Sequence, residues 1–181
     1  MTERIPAAEG VEGHGRVLAL VQNLANVRLA RAECKAFRPI ADGQEANLVS
    51  RVRIGFHVMG EYLGTTVVYE VAALPPEADP DTQFTEADLK PFWTINIEVC
   101  ADWELQGDAV PAAEDVRCFA IGQGLMTCHP FAREAIQSFS TRMGYAAATL
   151  PIVRNPWSVG DVEVQHHVDQ LATDPPNGEG S

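Results

Sequence analysis

Residues Trp93 to Gln106 alternate without a break. Trp93, Ile95, Ile97, Val99, Ala101, Trp103 and Leu105 are apolar. Between them stand Thr94, Asn96, Glu98, Cys100, Asp102, Glu104 and Gln106, nearly all polar. Period two held over that length describes a strand with one face covered and one face wet. Antiparallel sheets tolerate such a strand, whereas parallel sheets are buried on both faces. The chain must therefore build a one-sided sheet and supply something to cover it.

Three further strand candidates precede this one. Leu48 to Val58 puts Leu48, Val52, Ile54, Phe56 and Val58 on one face with Ser50, and Arg51, Arg53 and His57 on the other. Thr65 to Leu74 is rich in Thr, Val and Tyr. Val27 to Phe37 alternates loosely. One row is small (Ala30, Ala32, Cys34, Ala36, with Arg28), and the other mixes Val27, Leu29 and Phe37 with Arg31, Glu33 and Lys35. This strand reads as less buried than its neighbours. Pro39 to Ala46 reads as a crossing loop. Four strands without an intervening helix favour an antiparallel arrangement.

The cover comes later in the chain. Glu114 to Gly124 carries Val116, Phe119, Ala120 and Ile121, and Pro130 to Met143 carries Phe131, Ala135, Ile136, Phe139 and Met143 at helical spacing. Pro130 suits a first helical turn, which predicts a break near Leu125 to His129. Gly144 is the expected stop. If straight, the region would span ~45 Å at 1.5 Å per residue. A one-turn helix is expected at Thr85–Leu89 and a short last helix around Val162, Val164 and Val168. The fold class is α+β: a four-stranded antiparallel sheet with long C-terminal helices packed on one face.

Residues 1–15, with Pro6, Gly10, Gly13 and Gly15, read as a flexible lead. Val17, Leu20, Val21 and Leu24 predict a short helix over Arg16–Asn26. One domain over residues 16–157 follows. Residues 158–181 form an acidic tail, with Ala172 to Ser181 expected to be disordered.

Charge narrows the function classes. The chain has 13 basic and 25 acidic residues in 181, a net charge of −12. This disfavours nucleic-acid binding and a polybasic membrane anchor. No apolar run approaches the ~20 residues of a bilayer span, and no secretory h-region follows Arg4. A cytoplasmic location is expected, with Cys34, Cys100, Cys118 and Cys128 as thiols.

Chemical motifs are absent. The cysteines form no Cys-x-x-Cys, and Cys128-His129 is the nearest approach to a ligand or nucleophile pair. Gly122-Gln123-Gly124 does not follow a strand, so it does not read as a phosphate loop. The expectation is no catalytic residue, no metal and no cofactor. An amphipathic sheet, long helices and an acidic surface without chemistry suggest binding or assembly.

Pro130-Phe131-Ala132-Arg133-Glu134, followed by Arg142, Tyr145 and Leu150, resembles the signature helix of SecB-type export chaperones. That signature has an aromatic before the proline, where this chain has His129, and a proline after the later aromatic, where it has Ala146. The order of elements is similar too. Among SecB-like proteins, the leading helix resembles that of chaperones accompanying toxin–antitoxin pairs. The resemblance implies a homotetramer, a dimer of dimers with paired helices. It implies an ATP-independent holdase for an unfolded preprotein or an antitoxin client, and, as in many members, delivery to the translocase motor SecA. Phe37, Ile40, Tyr62, Tyr145 and Trp157, at element ends or in a crossing loop, are the candidate client groove. Phe131, Arg133, Ala135, Phe139 and Arg142 are the candidate helix interface between copies. The alternative classes are a small-ligand-binding protein or a structural assembly subunit on the same scaffold.

Overall fold

The computed structural model describes residues 7–41, 44–77, 91–107, 110–158 and 163–166. Its sheet contains β1 (Val21–Ala36), β2 (Asn47–Met59), β3 (Tyr62–Leu74), β4 (Trp93–Leu105) and β5 (Glu163–His166), in the order β1-β4-β3-β2-β5. The first four are antiparallel to their neighbours, and β5 lies parallel to β2. Because β1 pairs with β4 and not with β2, the loop after β1 does cross one end of the sheet.

Register explains which face is covered. On β3, Leu63, Thr65, Val67, Tyr69, Val71 and Ala73 stand opposite the odd row of β4, and all are buried. On β2, Ile54 and Phe56 continue that face. On β1, three register shifts bring Val21, Leu24, Val27, Leu29, Ala32, Cys34 and Ala36 opposite the same β4 row. Each bulge inserts a residue that would otherwise flip the strand's faces. Two rows that look mixed in sequence thereby become one apolar row.

The helical layer runs over this face. Helix α2 (Ala113–Phe119), a π-helical turn (Ala120–Gly124) and α3 (Leu125–Arg142) are continuous. The expected break at Leu125–His129 does not occur, and Pro130 sits inside α3. Pro130 is exposed, so the carbonyl it leaves unpaired can be hydrated instead of buried. The irregularity lies upstream, where the π turn seats Gly124 over β3. A Cβ on Gly124 would lie 3.0 Å from the Thr65 Cβ. Gly122-Gln123-Gly124 is thus a close-approach device. Thr65 itself is buried: its hydroxyl donates to the Ala101 carbonyl at 3.3 Å and accepts from the Trp103 indole N–H at 3.3 Å.

Gly144 ends α3 in the left-handed region, at φ 87°. The Gly144 N–H bonds Thr141 O and the Tyr145 N–H bonds Ser140 O, a Schellman closure.

Three sequence expectations are corrected. From residue 7 onward the flexible lead, and with it the helix over Arg16–Asn26, is replaced by α1 (Ala7–Leu18), with β1 beginning at Val21; residues 1–6 of the lead lie outside the described residues. Gly10 and Gly13, which read as loop residues, are buried helical contacts: a Cβ on Gly13 would meet the Cys118 Sγ at 2.9 Å. The Arg16 guanidinium reaches both Asp115 carboxylate oxygens, at 2.9 and 2.5 Å. Val164 lies in strand β5, not in a last helix. Thr85–Leu89, Val162, Val168 and Ala172–Ser181 fall outside the described residues.

Candidate functional site

Three of the five predicted groove residues converge. Phe37, Ile40 and Tyr145 line an open cavity of about 700 Å³ between the loop after β1 and the turn that ends α3. Ala36, Pro39 and Met143 add apolar wall. The rim is held by one backbone carbonyl. Phe92 O accepts from the N–H groups of Phe37 (2.9 Å) and Arg38 (3.3 Å) and from the Tyr145 hydroxyl (3.2 Å). Tyr145 also donates to Arg38 O at 3.0 Å, and its ring lies 6.2 Å from Trp93. The Arg38 guanidinium stacks over the Phe92 ring at 4.5 Å.

Gln44 Oε1 accepts from the Ala41 N–H at 3.2 Å, and the Tyr145 hydroxyl is spent on the rim. Phe37 stays 48% exposed at the mouth. Enzyme pockets gather convergent polar groups around a reacting atom. This cavity mixes apolar side chains with polar groups of its loop.

Tyr62 and Trp157 do not join the cavity. Tyr62 opens β3 opposite Glu104, at the far end of the sheet from Trp93. Trp157 packs against Gly10 and Gly122, tying the C-terminal segment to α1 and the π turn.

A second open surface shares Ala36 with the cavity. Ala36 ends the apolar row of β1, and along that row Leu24 and Leu29 are 40% and 44% exposed. Phe131 on α3 is 47% exposed. It lies two residues beyond His129, which contacts Tyr69 of β3, so Phe131 occupies the opposite flank of the helix. Arg142 is exposed in the last turn. The other helix-interface candidates, Arg133, Ala135 and Phe139, are half-buried. Ala135 and Phe139 pack against the core, and the Arg133 Nε donates to Leu150 O at 2.8 Å. Sequence reasoning missed the exposed β1 row, because the bulges that assemble it leave no alternation to read.

Cys128 and His129 do not make a nucleophile pair. Burial pushes the Cys128 thiol up to about 12. His129 Nε2 lies 2.9 Å from Pro151 O, which only accepts, so Nε2 carries the proton. Its Nδ1 then accepts from the Tyr69 hydroxyl at 3.1 Å. Burial shifts His129 toward the neutral form and holds the Tyr69 phenol protonated. Among the described residues there is no cluster of three metal-ligating side chains and no helix long and apolar enough to cross a membrane.

Among solved structures, the chain is similar to a Mycobacterium tuberculosis SecB-like chaperone in complex with a ChAD peptide from an antitoxin. The two are 16% identical, the match covers 80% of this chain and 99% of that one, and the TM-score is 0.69. The four-stranded antiparallel sheet with its long C-terminal helix is therefore a SecB-like fold. A Streptococcus agalactiae protein of unknown function matches 70% of this chain at 9% identity and a TM-score of 0.36, too low to support an argument. No family model and no curated protein matches.

Proposed function

We propose that the protein is an ATP-independent molecular chaperone that holds an unfolded polypeptide, either an export client or one dedicated client such as an antitoxin. The observation that carries this reading is the open cavity at Phe37, Ile40 and Tyr145, with Phe37 exposed at its mouth. An extended segment can lay alternate side chains into such a surface, whereas a folded protein has buried its own. The SecB-like neighbour solved with an antitoxin peptide supports a peptide occupant.

Further parts of the reading follow. The open side formed by the β1 row, Phe131 and Arg142 is covered by other copies, giving a cytoplasmic homotetramer. SecA is the partner if the clients are exported. The balance of −14 from Ile54 onward favours clients with basic residues among apolar ones. Catalysis and cofactors have no part in it.

Calorimetric titration of an unfolded, slow-folding client at two salt concentrations tests the proposal. Binding should show a negative heat-capacity change and weaken in part with salt, with no effect of ATP. Equal affinity for the folded client, or ATP hydrolysis that tracks with the protein, would overturn it. Saturable binding of a compact apolar small molecule in the cavity, with no client binding, would favour the ligand-binding alternative.

A further inference from the structure

The segment that follows α3 is gripped by side chains from one face of that helix. Ser140 Oγ accepts from the Ala148 N–H at 2.9 Å, Arg133 Nε donates to Leu150 O at 2.8 Å, and His129 Nε2 donates to Pro151 O at 2.9 Å. Positions 129, 133 and 140 share that face by helical spacing. Leu150 is buried among these grips, whereas Thr149, Pro151 and Ile152 beside it are exposed. Of the three gripping side chains, only the imidazole changes charge near neutral pH.

We propose that His129 is an acid-released latch: once protonated it frees the segment Ala148–Pro151 from α3 while the sheet stays folded. The inference stands whether or not the chaperone reading holds. The neutral ring suits both neighbours, because Nε2–H donates to Pro151 O and Nδ1 accepts from the Tyr69 hydroxyl at 3.1 Å. A proton added at Nδ1 points at a hydroxyl that is itself donating there, so two donors meet. Among the described residues no anion compensates. The covered rows of β1 to β4 hold no charged side chain, and their titratable groups are Tyr69 and Cys34. On α3 the neighbours are Cys128, whose thiol burial keeps protonated, and Arg133, a like charge one turn away. The segment itself presents a carbonyl, and its charged residue, Arg154, is exposed. Burial foremost, and Arg133 after it, disfavour the imidazolium. Water reaches the ring at least cost from the side of the exposed Pro151, since Tyr69 is fully buried on the sheet. The proton is therefore accommodated by losing the segment and not by opening the sheet. Release bares the α3 face under Leu150 and loosens the cavity wall at Tyr145.

Hydrogen exchange at the Ala148 amide of the full chain, corrected for the intrinsic rate at each pH, tests the latch. A freed imidazole takes up its proton near 6.5, so protection should fall about 3- to 10-fold between pH 7.5 and 5.5. The His129 ring resonances should titrate below 6.5. H129Q keeps a donor and an acceptor without titrating, and H129F fills the ring's space, so each should hold Ala148 protection within about twofold over that range. The amide of Val99, in the buried strand β4, should stay at least about tenfold better protected than Ala148 at both pH values, because it opens only with the whole sheet. No fall in the unsubstituted chain, a fall that persists in both variants, ring titration at or above 6.5, or equal protection at Ala148 and Val99 would overturn the proposal.

Discussion

The indole of Trp157 lies against Gly10 so closely that a Cβ on the glycine would sit 2.6 Å from the Trp157 Cζ3. Gly122 of the π turn flanks the same ring, with its own would-be Cβ 3.2 Å from Cζ2. One side chain thus fastens α1, the helical layer and the segment after Leu150.

That contact predicts a change of sign. Gly10→Ala should destabilise the chain by ~1–3 kcal/mol, the usual cost of overpacking, despite the ~1 kcal/mol by which alanine favours a helix. In a Trp157→Ala background the clash is gone, and the same substitution should stabilise. Thermal unfolding of the four chains of this double-mutant cycle checks it, and an additive cycle would mean that the two residues do not touch.

The fold was legible where alternation is strict and obscure where bulges intervene. Trp93 to Leu105 announced its sheet face residue by residue, and β4 has that face buried. On β1, Leu24, Val27, Leu29 and Ala32 reach one face only because two register shifts separate them, and single-residue periodicity cannot show that. Helix α1 escaped for a related reason. Its buried positions are Gly10, Gly13 and Val17, and glycine carries no apolar signal although it permits the closest approach. Of the cavity, Phe37, Ile40 and Tyr145 could be guessed from their place at element ends. Tyr62 and Trp157 looked the same in sequence but are held elsewhere by pairing and packing.

Acid should weaken the fold through His129. Burial lowers its pKa from 6.5, so the folded state binds fewer protons than the unfolded state in the interval below that value. Stability is therefore present above about pH 6.5 and lost as pH falls from there through the lowered folded value. His129→Gln should be less stable at pH 7.5 and lose less between pH 7.5 and 5.5. Urea midpoints at the two pH values provide the comparison, and parallel losses in both chains would exclude His129 as the titrating group. Asp115, held below its usual 3.8 mainly by its hydrogen bond to Arg16, should act only at more acid pH.

The cavity rim separates binding from folding. Phe37→Glu places a charge at an exposed mouth, so it should leave the melting temperature within a few degrees while lowering affinity for an unfolded client at least about tenfold. Tyr145→Phe removes the hydroxyl that joins Arg38 O and Phe92 O and should cost ~0.5–1.5 kcal/mol of stability. Titration and melting on both variants check the pair. Unchanged client affinity in Phe37→Glu would move the client surface away from the cavity.

Assembly should depend on the β1 row. Leu29 stands opposite Val99 on the apolar face but is 44% exposed in the single chain, so Leu29→Glu adds a carboxylate that water can reach before assembly. Once a second copy covers the row, the same carboxylate would be buried without a partner, a cost of several kcal/mol in the pair. Arg31, one register shift away, stands opposite Glu98 on the polar face, so Arg31→Glu is the matched control. Light scattering should give four times 19.7 kDa for the unsubstituted chain and for the control, and a smaller mass for Leu29→Glu at unchanged circular dichroism. A Leu29→Glu tetramer would place the contact between copies elsewhere, and a monomeric unsubstituted chain at micromolar concentration would remove the tetramer itself.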